Sequence, residues 1–358
     1  MRTATTPRHG PRGTRLLTVD ADGRIDHHTV SDLPALVRAH DVFVANDAAT
    51  LPASLAGVHE PTGEPIELRL AAHLQWPGTE AVAFTALAFG AGDYRVPTEQ
   101  RPQPPLLRDG DGLRLGPLHA RVTAVSPHPR LIDVRFDDPA AAVWEGLARH
   151  GRPIQYAHVP LPLAIGDTWT SIAGRAVAFE APSAGFILSW SLLGLLRARG
   201  VAFATVTHAA GLSSTGDPAL DRLLPLDEGY VVPPDTARLI ARARQHGGRV
   251  IAIGTSVVRA LEHAARGGRG VTPGAGVATG RITSSTRLQV VDAIVSGVHE
   301  PGTSHYELLG AFQHAGALAA MSSEADASDY RTHEFGDAVL VVRGRNRDAG
   351  RQHRTNAA

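Results

Sequence analysis

Cysteine and lysine are both missing from this 358-residue sequence. Without cysteine the chain cannot form a disulfide, a thiolate zinc site or a cysteine nucleophile. Without lysine it cannot use a Schiff-base lysine or a Walker-type phosphate loop. Every fixed positive side-chain charge is therefore an arginine.

The sequence also lacks an excess of charge and a long apolar run. Its 35 basic residues balance 35 acidic ones, which argues against non-specific nucleic-acid binding. No segment reaches the roughly 18 consecutive apolar residues of a membrane helix. The N-terminal segment has arginines but no apolar core, so we expect neither a signal peptide nor a membrane anchor. These absences favour a cytoplasmic protein.

Two hydrophobic patterns divide the chain. Between residues 66 and 136, apolar and polar residues alternate in short stretches separated by loops rich in Pro, Gly and Asp. This pattern is typical of an antiparallel sheet or a small barrel. On either side, continuous apolar strands alternate with helical segments, which predicts an α/β body with a buried parallel sheet. In that body we expect a strand at residues 177–179 and a helix at residues 186–199.

Polar or small residues follow four predicted strands. The segments are Asn46-Asp47, residues 180–185 (with Pro182, Ser183, Ala184 and Gly185), residues 207–211 (with His208), and residues 254–256 (Gly254, Thr255 and Ser256). Ligands of open parallel sheets bind beyond the carboxyl ends of the strands. If the four ends converge, they form one polar pocket whose helix N-termini favour an anionic or carboxylate ligand. Taken singly, each segment is equally a helix cap or a turn.

Four single residues are candidates for chemistry, each with a structural alternative. Asp47 is either catalytic or a turn cap, and His208 is either an acid, base or donor or a structural histidine. Arg259 either binds a carboxylate with two hydrogen bonds or pairs with Glu262 on its own helix. His299, in a loop before a helix, is either functional or an ordinary loop histidine.

Several motif classes are absent. No HExxH or other tight metal-ligand spacing occurs among the 18 histidines, so we expect no metal site. Neither the dinucleotide-binding GxGxxG nor the GxSxG nucleophile elbow is present. The residues alone therefore predict an α/β enzyme with a polar pocket built from several loops.

At these same positions the chain resembles the S-adenosylmethionine:tRNA ribosyltransferase-isomerase family of queuosine biosynthesis. The similar segments follow the family order: residues 46–55 resemble NDTRVIPARL, 181–185 APTAG, 254–262 GTTSVRTLE, 290–293 VVDA and 330–338 YRFFSYGDA. The resemblance implies an α/β body of residues 1–55 and 155–342 with an inserted antiparallel β-barrel at residues 56–154. We expect residues 343–358 to form a disordered basic tail.

The resemblance also implies a reaction. S-adenosylmethionine, as co-substrate and without a metal, gives its ribosyl group to 7-aminomethyl-7-deazaguanine in tRNA. The group rearranges to an epoxycyclopentanediol, and adenine and methionine leave. By position, Asp47 or His208 serves the proton steps and Arg259 binds the methionine carboxylate. The expected catalytic residues are Asp47, His208 and His299. The expected substrate-binding residues are Asn46, Pro182, Ser183, Ala184, Gly185, Glu228, Gly254, Thr255, Ser256, Arg259 and Asp292.

The chain also departs from the family pattern in its loops. Ile187 stands where the family has histidine, and Gly302 stands where it has lysine. These changes, while the scaffold segments persist, indicate a diverged member. Two alternatives to the family reaction follow: a paralogue that uses S-adenosylmethionine or a related nucleoside on a small-molecule acceptor, and a non-catalytic binding protein. The neutral charge supports a tRNA partner only weakly, and the sequence does not specify an oligomeric state.

Overall fold

The computed structural model describes residues 1–8, 10–76, 82–213 and 215–345. The strands in this part of the chain are β1 (Arg2–Thr3), β2 (Arg15–Val19), β3 (Ile25–Thr29), β4 (Val42–Asn46), β5 (Ala49–Thr50), β6 (Ser54–His59), β7 (Pro65–His73), β8 (Ala83–Phe89), β9 (Gly112–Leu115), β10 (Leu118–Val125), β11 (Leu131–Phe136), β12 (Ala176–Ala178), β13 (Ala202–His208), β14 (Glu228–Val232), β15 (Val250–Ile253), β16 (Gly274–Ala278), β17 (Ala293–Gly297), β18 (Arg331–Thr332) and β19 (Ala338–Val342).

The helices lie mainly in the second half of the chain. The described α-helices are α1 (Leu33–Leu36), α2 (Ala140–His150), α3 (Trp190–Ala198), α4 (Pro218–Asp221), α5 (Pro234–Gln245), α6 (Thr255–Ala264), α7 (Ser304–Leu309) and α8 (Ala315–Ala327). Short 3₁₀ helices are found at Val30–Asp32, Thr98–Gln100, Ile165–Thr168 and Ser183–Ile187.

A nine-stranded sheet forms the body, in the order β16-β14-β13-β4-β15-β17-β19-β2-β3. Its four central strands, from β13 to β17, are parallel, and antiparallel pairings join the strands on both sides of them. Every residue of β4 and β15 is buried, as expected for strands covered on both faces. The predicted parallel-sheet α/β body is confirmed, with antiparallel strands added at its flanks.

A closed barrel of six antiparallel strands is inserted between β5 and α2, in the order β10-β11-β8-β7-β6-β9. Along the first half of β10, buried and exposed residues alternate, so every second side chain enters the barrel core. The predicted inserted barrel is confirmed. Helix α2, which the alternating pattern did not indicate, follows the last barrel strand and packs its Val143 and Leu147 into the barrel core cluster. The domain limits 1–55, 56–154 and 155–342 stay a prediction.

Two elements of the body differ from the sequence expectation. The helix expected from residue 186 begins at Trp190, because Ser189 caps it by accepting a hydrogen bond from the N–H of Leu192 at 3.2 Å. The residues before this cap form the 3₁₀ helix Ser183–Ile187. The strand expected at residues 177–179 is β12, which pairs in a two-stranded sheet with β5 and does not join the central sheet.

The end of the chain was predicted to be a disordered tail from residue 343. Residues 346–358 of that segment lie outside the described residues. Within the described ranges, no helix is both long and apolar enough to cross a membrane.

Candidate functional site

A large cavity lies at the carboxyl ends of the central parallel strands. Its volume is about 690 Å³, within the roughly 300–1,000 Å³ that small-molecule sites occupy. Gly211 lines it beyond β13, Gly254 beyond β15 and His299 beyond β17. The segment between the barrel strands β8 and β9 contributes Pro97, Thr98 and Glu99 to the lining. The cavity is therefore placed where open α/β sheets bind ligands.

Most of the residues expected to bind substrate meet in this cavity. Those that line it are Pro182, Ser183, Ala184, Glu228, Gly254, Thr255, Ser256 and Arg259, and the expected catalytic residue His299 lines it as well. Three of the four polar strand ends therefore converge, as the sequence predicts for a shared pocket. Helix α6 begins at Thr255, so its free N–H groups and its positive dipole end lie at the cavity wall.

The first polar strand end does not line the cavity. Asn46 is buried and fastens two strand ends, since its side-chain amide donates to the carbonyl of His208 at 2.9 Å and its side-chain oxygen accepts from the N–H of His208 at 2.9 Å. Asp47 accepts a hydrogen bond from the hydroxyl of Thr207 at 2.6 Å. Their expected roles in binding and catalysis stay predictions.

Asp292 and Gly185 also lie away from the cavity surface. The carboxylate of Asp292 accepts the N–H of Val250 at 2.9 Å. Because Val250 is the first residue of β15, Asp292 lies at the amino ends of the parallel strands, opposite the cavity. Gly185 is buried, and a Cβ atom on it would lie 2.9 Å from a carbon of Thr170. Neither residue lines the cavity, and the expected binding roles stay predictions.

Three of the expected site residues, Arg259, Glu228 and His208, form a buried group at the cavity, and the first two of them line its wall. The guanidinium of Arg259 donates to Glu228, and also to the carbonyls of Leu226 at 3.1 Å and Ala278 at 3.2 Å. The other carboxylate oxygen of Glu228 accepts the N–H of Gly211 at 2.7 Å. Burial raises the pKa of Glu228, whereas the charge of Arg259 and the N–H of Gly211 oppose that shift.

His208 completes this group. It is fully buried, and its Nε2 atom lies 3.4 Å from Oε2 of Glu228 without hydrogen-bond geometry. Burial, followed by the charge of Arg259, holds its pKa well below the usual value, so the imidazole is neutral near pH 7. His208 itself does not line the cavity, whereas its neighbour Glu228 does.

A pair of stacked histidines forms another part of the wall. The ring centroids of His299 and His305 lie 4.7 Å apart, and Nε2 of His299 lies 2.8 Å from the hydroxyl oxygen of Ser296. Burial and the neighbouring His305 keep the pKa of His299 well below its usual value. Burial and the charge of Arg259 lower the pKa of His305 to about 4. Both rings are therefore neutral hydrogen-bonding groups, and sequence reasoning missed His305.

Glu180 is a cavity residue that sequence reasoning did not single out. Its carboxylate accepts hydrogen bonds from the hydroxyl of Tyr156 and from the hydroxyl of Ser213, the latter at 2.9 Å. Burial raises the pKa of Glu180 to about 7, although these hydrogen bonds lower it. Such a carboxyl can exchange protons near neutral pH. The sequence feature that could have identified Glu180 is its position immediately before the 181–185 segment.

The wall also holds a group of potential metal ligands. His158, His333 and Glu334 each offer one ligand atom, and these atoms lie within 4.8 Å of one another. All three residues line the cavity. The expectation of no metal site considered only spacing along the sequence, whereas the fold brings His158 to residues 333 and 334 from 175 residues away along the chain.

Comparisons with known proteins agree with this architecture. The profile of a family described as queuosine biosynthesis protein matches residues 1–341. The S-adenosylmethionine:tRNA ribosyltransferase-isomerase of Anaeromyxobacter dehalogenans is 33% identical over 354 residues, 94% of this chain and 94% of that protein. The enzyme of the same name from Azoarcus sp. is 32% identical over 345 residues, 92% of this chain and 91% of that protein. The crystal structure of a Thermotoga maritima S-adenosylmethionine tRNA ribosyltransferase matches with a TM-score of 0.51 and 22% identity, over 95% of this chain and 96% of that one. At that identity it shows the fold alone.

Proposed function

The chain belongs to the queuosine biosynthesis protein family, and from this membership we propose that it acts as an S-adenosylmethionine:tRNA ribosyltransferase-isomerase. Its substrates are then S-adenosylmethionine and a tRNA that carries 7-aminomethyl-7-deazaguanine. The ribosyl group moves to the aminomethyl group and rearranges to the epoxycyclopentanediol, while adenine and methionine leave. Because tRNA is a cytoplasmic substrate, we place the protein in the cytoplasm.

The cavity at the carboxyl ends of the strands is the observation that supports this proposal most. Its volume of about 690 Å³ suits a nucleoside joined to an amino acid. Its wall combines the helix N-terminus at Thr255, the buried guanidinium of Arg259 and the carboxyl group of Glu180, whose pKa is about 7. A charged sulfonium substrate that must lose a proton needs this combination of anchors and a base.

Arg259 is proposed to hold the carboxylate of the methionine part. Its guanidinium is fixed by Glu228 and by backbone carbonyls, so little side-chain entropy is lost when a ligand binds. Glu228 also lines the cavity, and its assigned role in this proposal is to accept the α-ammonium group of the same ligand. The pair therefore matches both charges of an amino acid.

Glu180 is proposed to be the base that removes the acidic proton beside the sulfonium. A base with a pKa near the working pH combines a large ionised fraction with useful proton affinity. The Tyr156 and Ser213 hydroxyls orient its carboxylate in the cavity wall. The roles expected for Asp47 and His208 in proton steps remain proposals, and both would act through neighbours because neither lines the cavity.

The decisive measurement is the release of adenine and methionine from S-adenosylmethionine, with and without tRNA bearing the deazaguanine precursor. We expect both products only when that tRNA is present. Arg259→Gln should reduce release mainly by raising KM for S-adenosylmethionine. The exposed Arg238, which pairs with Asp235 on the surface of α5, provides a matched control as Arg238→Gln.

Two outcomes contradict the proposed reaction, and a third contradicts the role proposed for Arg259. If neither product appears with the modified tRNA, the family reaction is wrong for this chain. If both appear at the same rate without tRNA, the acceptor is a small molecule or water. Equal losses in the Arg259 and Arg238 variants would remove Arg259 from the substrate site.

A further inference from the structure

Three side chains from two distant segments meet on one side of the cavity. Nε2 of His158 lies 2.8 Å from Oε2 of Glu334, and the rings of His158 and His333 are stacked with centroids 4.3 Å apart. One potential ligand atom from each residue lies within 4.8 Å of the other two. None of the three is fully buried, so their ligand atoms can be reached from the cavity.

Both segments are held in place by hydrogen bonds. The side chain of Gln155 bonds the carbonyls of Val159 and Leu161, each at 2.7 Å, and thereby fixes the loop that carries His158. The carboxylate of Asp337 accepts the N–H groups of Arg331 at 2.9 Å and Arg15 at 3.1 Å. These bonds fix the loop of residues 332–336. Rigid support of this kind is what a preformed ligand site needs.

The backbone of His333 adds a second sign of constraint. Its φ is +67°, a conformation that non-glycine residues rarely adopt and that costs energy. In this conformation the exposed ring of His333 stacks on the ring of His158. Such outliers persist where the surrounding structure holds them, and they concentrate at functional sites.

We propose that His158, His333 and Glu334 bind a divalent transition-metal ion of the zinc type on the cavity wall. Two imidazole nitrogens and one carboxylate oxygen are a ligand set of catalytic zinc sites, in which a fourth position stays open for water or substrate. Ligand atoms around tetrahedral zinc lie about 3.4 Å apart, given zinc–ligand distances of roughly 2.0–2.2 Å. Rotation of the three side chains would bring the ligand atoms from within 4.8 Å of one another to this separation, and all three residues line the cavity.

The competing interpretation is a simple hydrogen-bonded histidine–glutamate pair with a stacked neighbour. The chain contains such a pair elsewhere: Nε2 of His27 lies 3.0 Å from Oε1 of Glu324 on the surface. Among the described residues, no third metal-ligating side chain joins that pair. His27 is therefore a matched control, since it keeps the histidine–carboxylate contact without a third ligand.

The test is binding of zinc alone to the full chain, prepared free of metal, by competition with a chromophoric chelator. We expect one equivalent to bind to the unaltered chain. His158→Ala, His333→Ala and Glu334→Gln should each weaken binding by more than the roughly 10–100-fold that loss of an outer-shell partner costs. His27→Ala should leave the affinity unchanged. The readout does not depend on turnover, so it is independent of the proposed transferase activity.

A second measurement separates loss of a ligand from loss of fold. Zinc should raise the thermal unfolding midpoint of the unaltered chain and of His27→Ala, because a ligand that binds only the folded state stabilises it. The three cluster variants should keep the metal-free midpoint and lose the shift. Absence of zinc binding by the unaltered chain, or equal affinity in the cluster variants and the control, would overturn the proposal.

Discussion

The Oε2 atom of Glu228 lies 3.4 Å from Nε2 of His208, and the same carboxylate pairs with the guanidinium of Arg259. All three side chains are buried. Since burial and Arg259 keep His208 neutral, the group contains one positive and one negative charge. Its stability therefore depends on Glu228 as the common partner.

Glu228→Gln should destabilise the fold. The substitution leaves Arg259 as an uncompensated buried charge, and removing one partner of a buried ion pair costs about 3–5 kcal/mol. The free energy of unfolding in urea is the measurement. Glu145→Gln is the control, because Glu145 pairs with Arg149 on the exposed face of α2 and such pairs contribute only about 0.3–0.5 kcal/mol. Similar losses in the two variants would show that the buried group is not a stability determinant.

Glu180 should make the stability depend on pH. Its pKa rises from 4.5 to about 7 on folding, so its neutral form stabilises the fold fully below about pH 4.5 and this contribution is lost as the pH rises through 7. Relative to the unaltered chain, Glu180→Gln should therefore gain up to about 3 kcal/mol of unfolding free energy between pH 4.5 and 8. Urea unfolding at both pH values tests this, with Glu145→Gln as a control that shows no such gain. A pH-independent difference would mean that folding does not shift the pKa of Glu180.

Glu180→Gln should also reduce turnover if Glu180 is the base. Loss of a positioned general base lowers kcat by about 10²–10⁴-fold. The rate of adenine release by the unaltered chain should rise through about pH 7, the pKa of Glu180, and the variant should lose that rise. Binding of S-adenosylmethionine, measured by calorimetry, should change little. A variant that keeps the same pH profile would exclude Glu180 as the base.

The sequence could predict the cavity loops but not the direction of every side chain in them. Ser183 and Thr255 lie in segments of small and polar residues between a predicted strand and a predicted helix. Such segments can be recognised from the sequence, and both residues line the cavity. Asp47 follows a correctly predicted strand, yet it bonds Thr207 because the register between β4 and β13 decides what it meets. Because every residue of β4 is buried, its sequence has no apolar–polar alternation that would mark the register.

Residues missed by sequence reasoning meet their partners across long chain separations. His158 and Glu334 are 176 positions apart and form a 2.8 Å contact. The pKa of Glu180 is raised because the fold buries its carboxyl group, and the hydrogen bonds from Tyr156 and Ser213, which come from other segments, oppose that rise. Periodicity reports which face of an element is apolar, and it carries no information on such contacts between loops.

Gly254→Ala should weaken both stability and S-adenosylmethionine binding. Gly254 has φ +95° and ψ 155°, a region that is essentially open to glycine alone and costs other residues about 1–3 kcal/mol. An added Cβ would also lie 3.3 Å from Cβ of the cavity residue Ala184, so the start of α6 and the 181–185 segment must move apart.

Gly247→Ala is the matched control, since Gly247 also has a positive φ, +71°, but a Cβ there meets nothing within 4 Å. We expect Gly247→Ala to lose stability without losing affinity for S-adenosylmethionine in calorimetry. Equal affinities in the two variants would show that the contact between Gly254 and Ala184 does not shape the binding site.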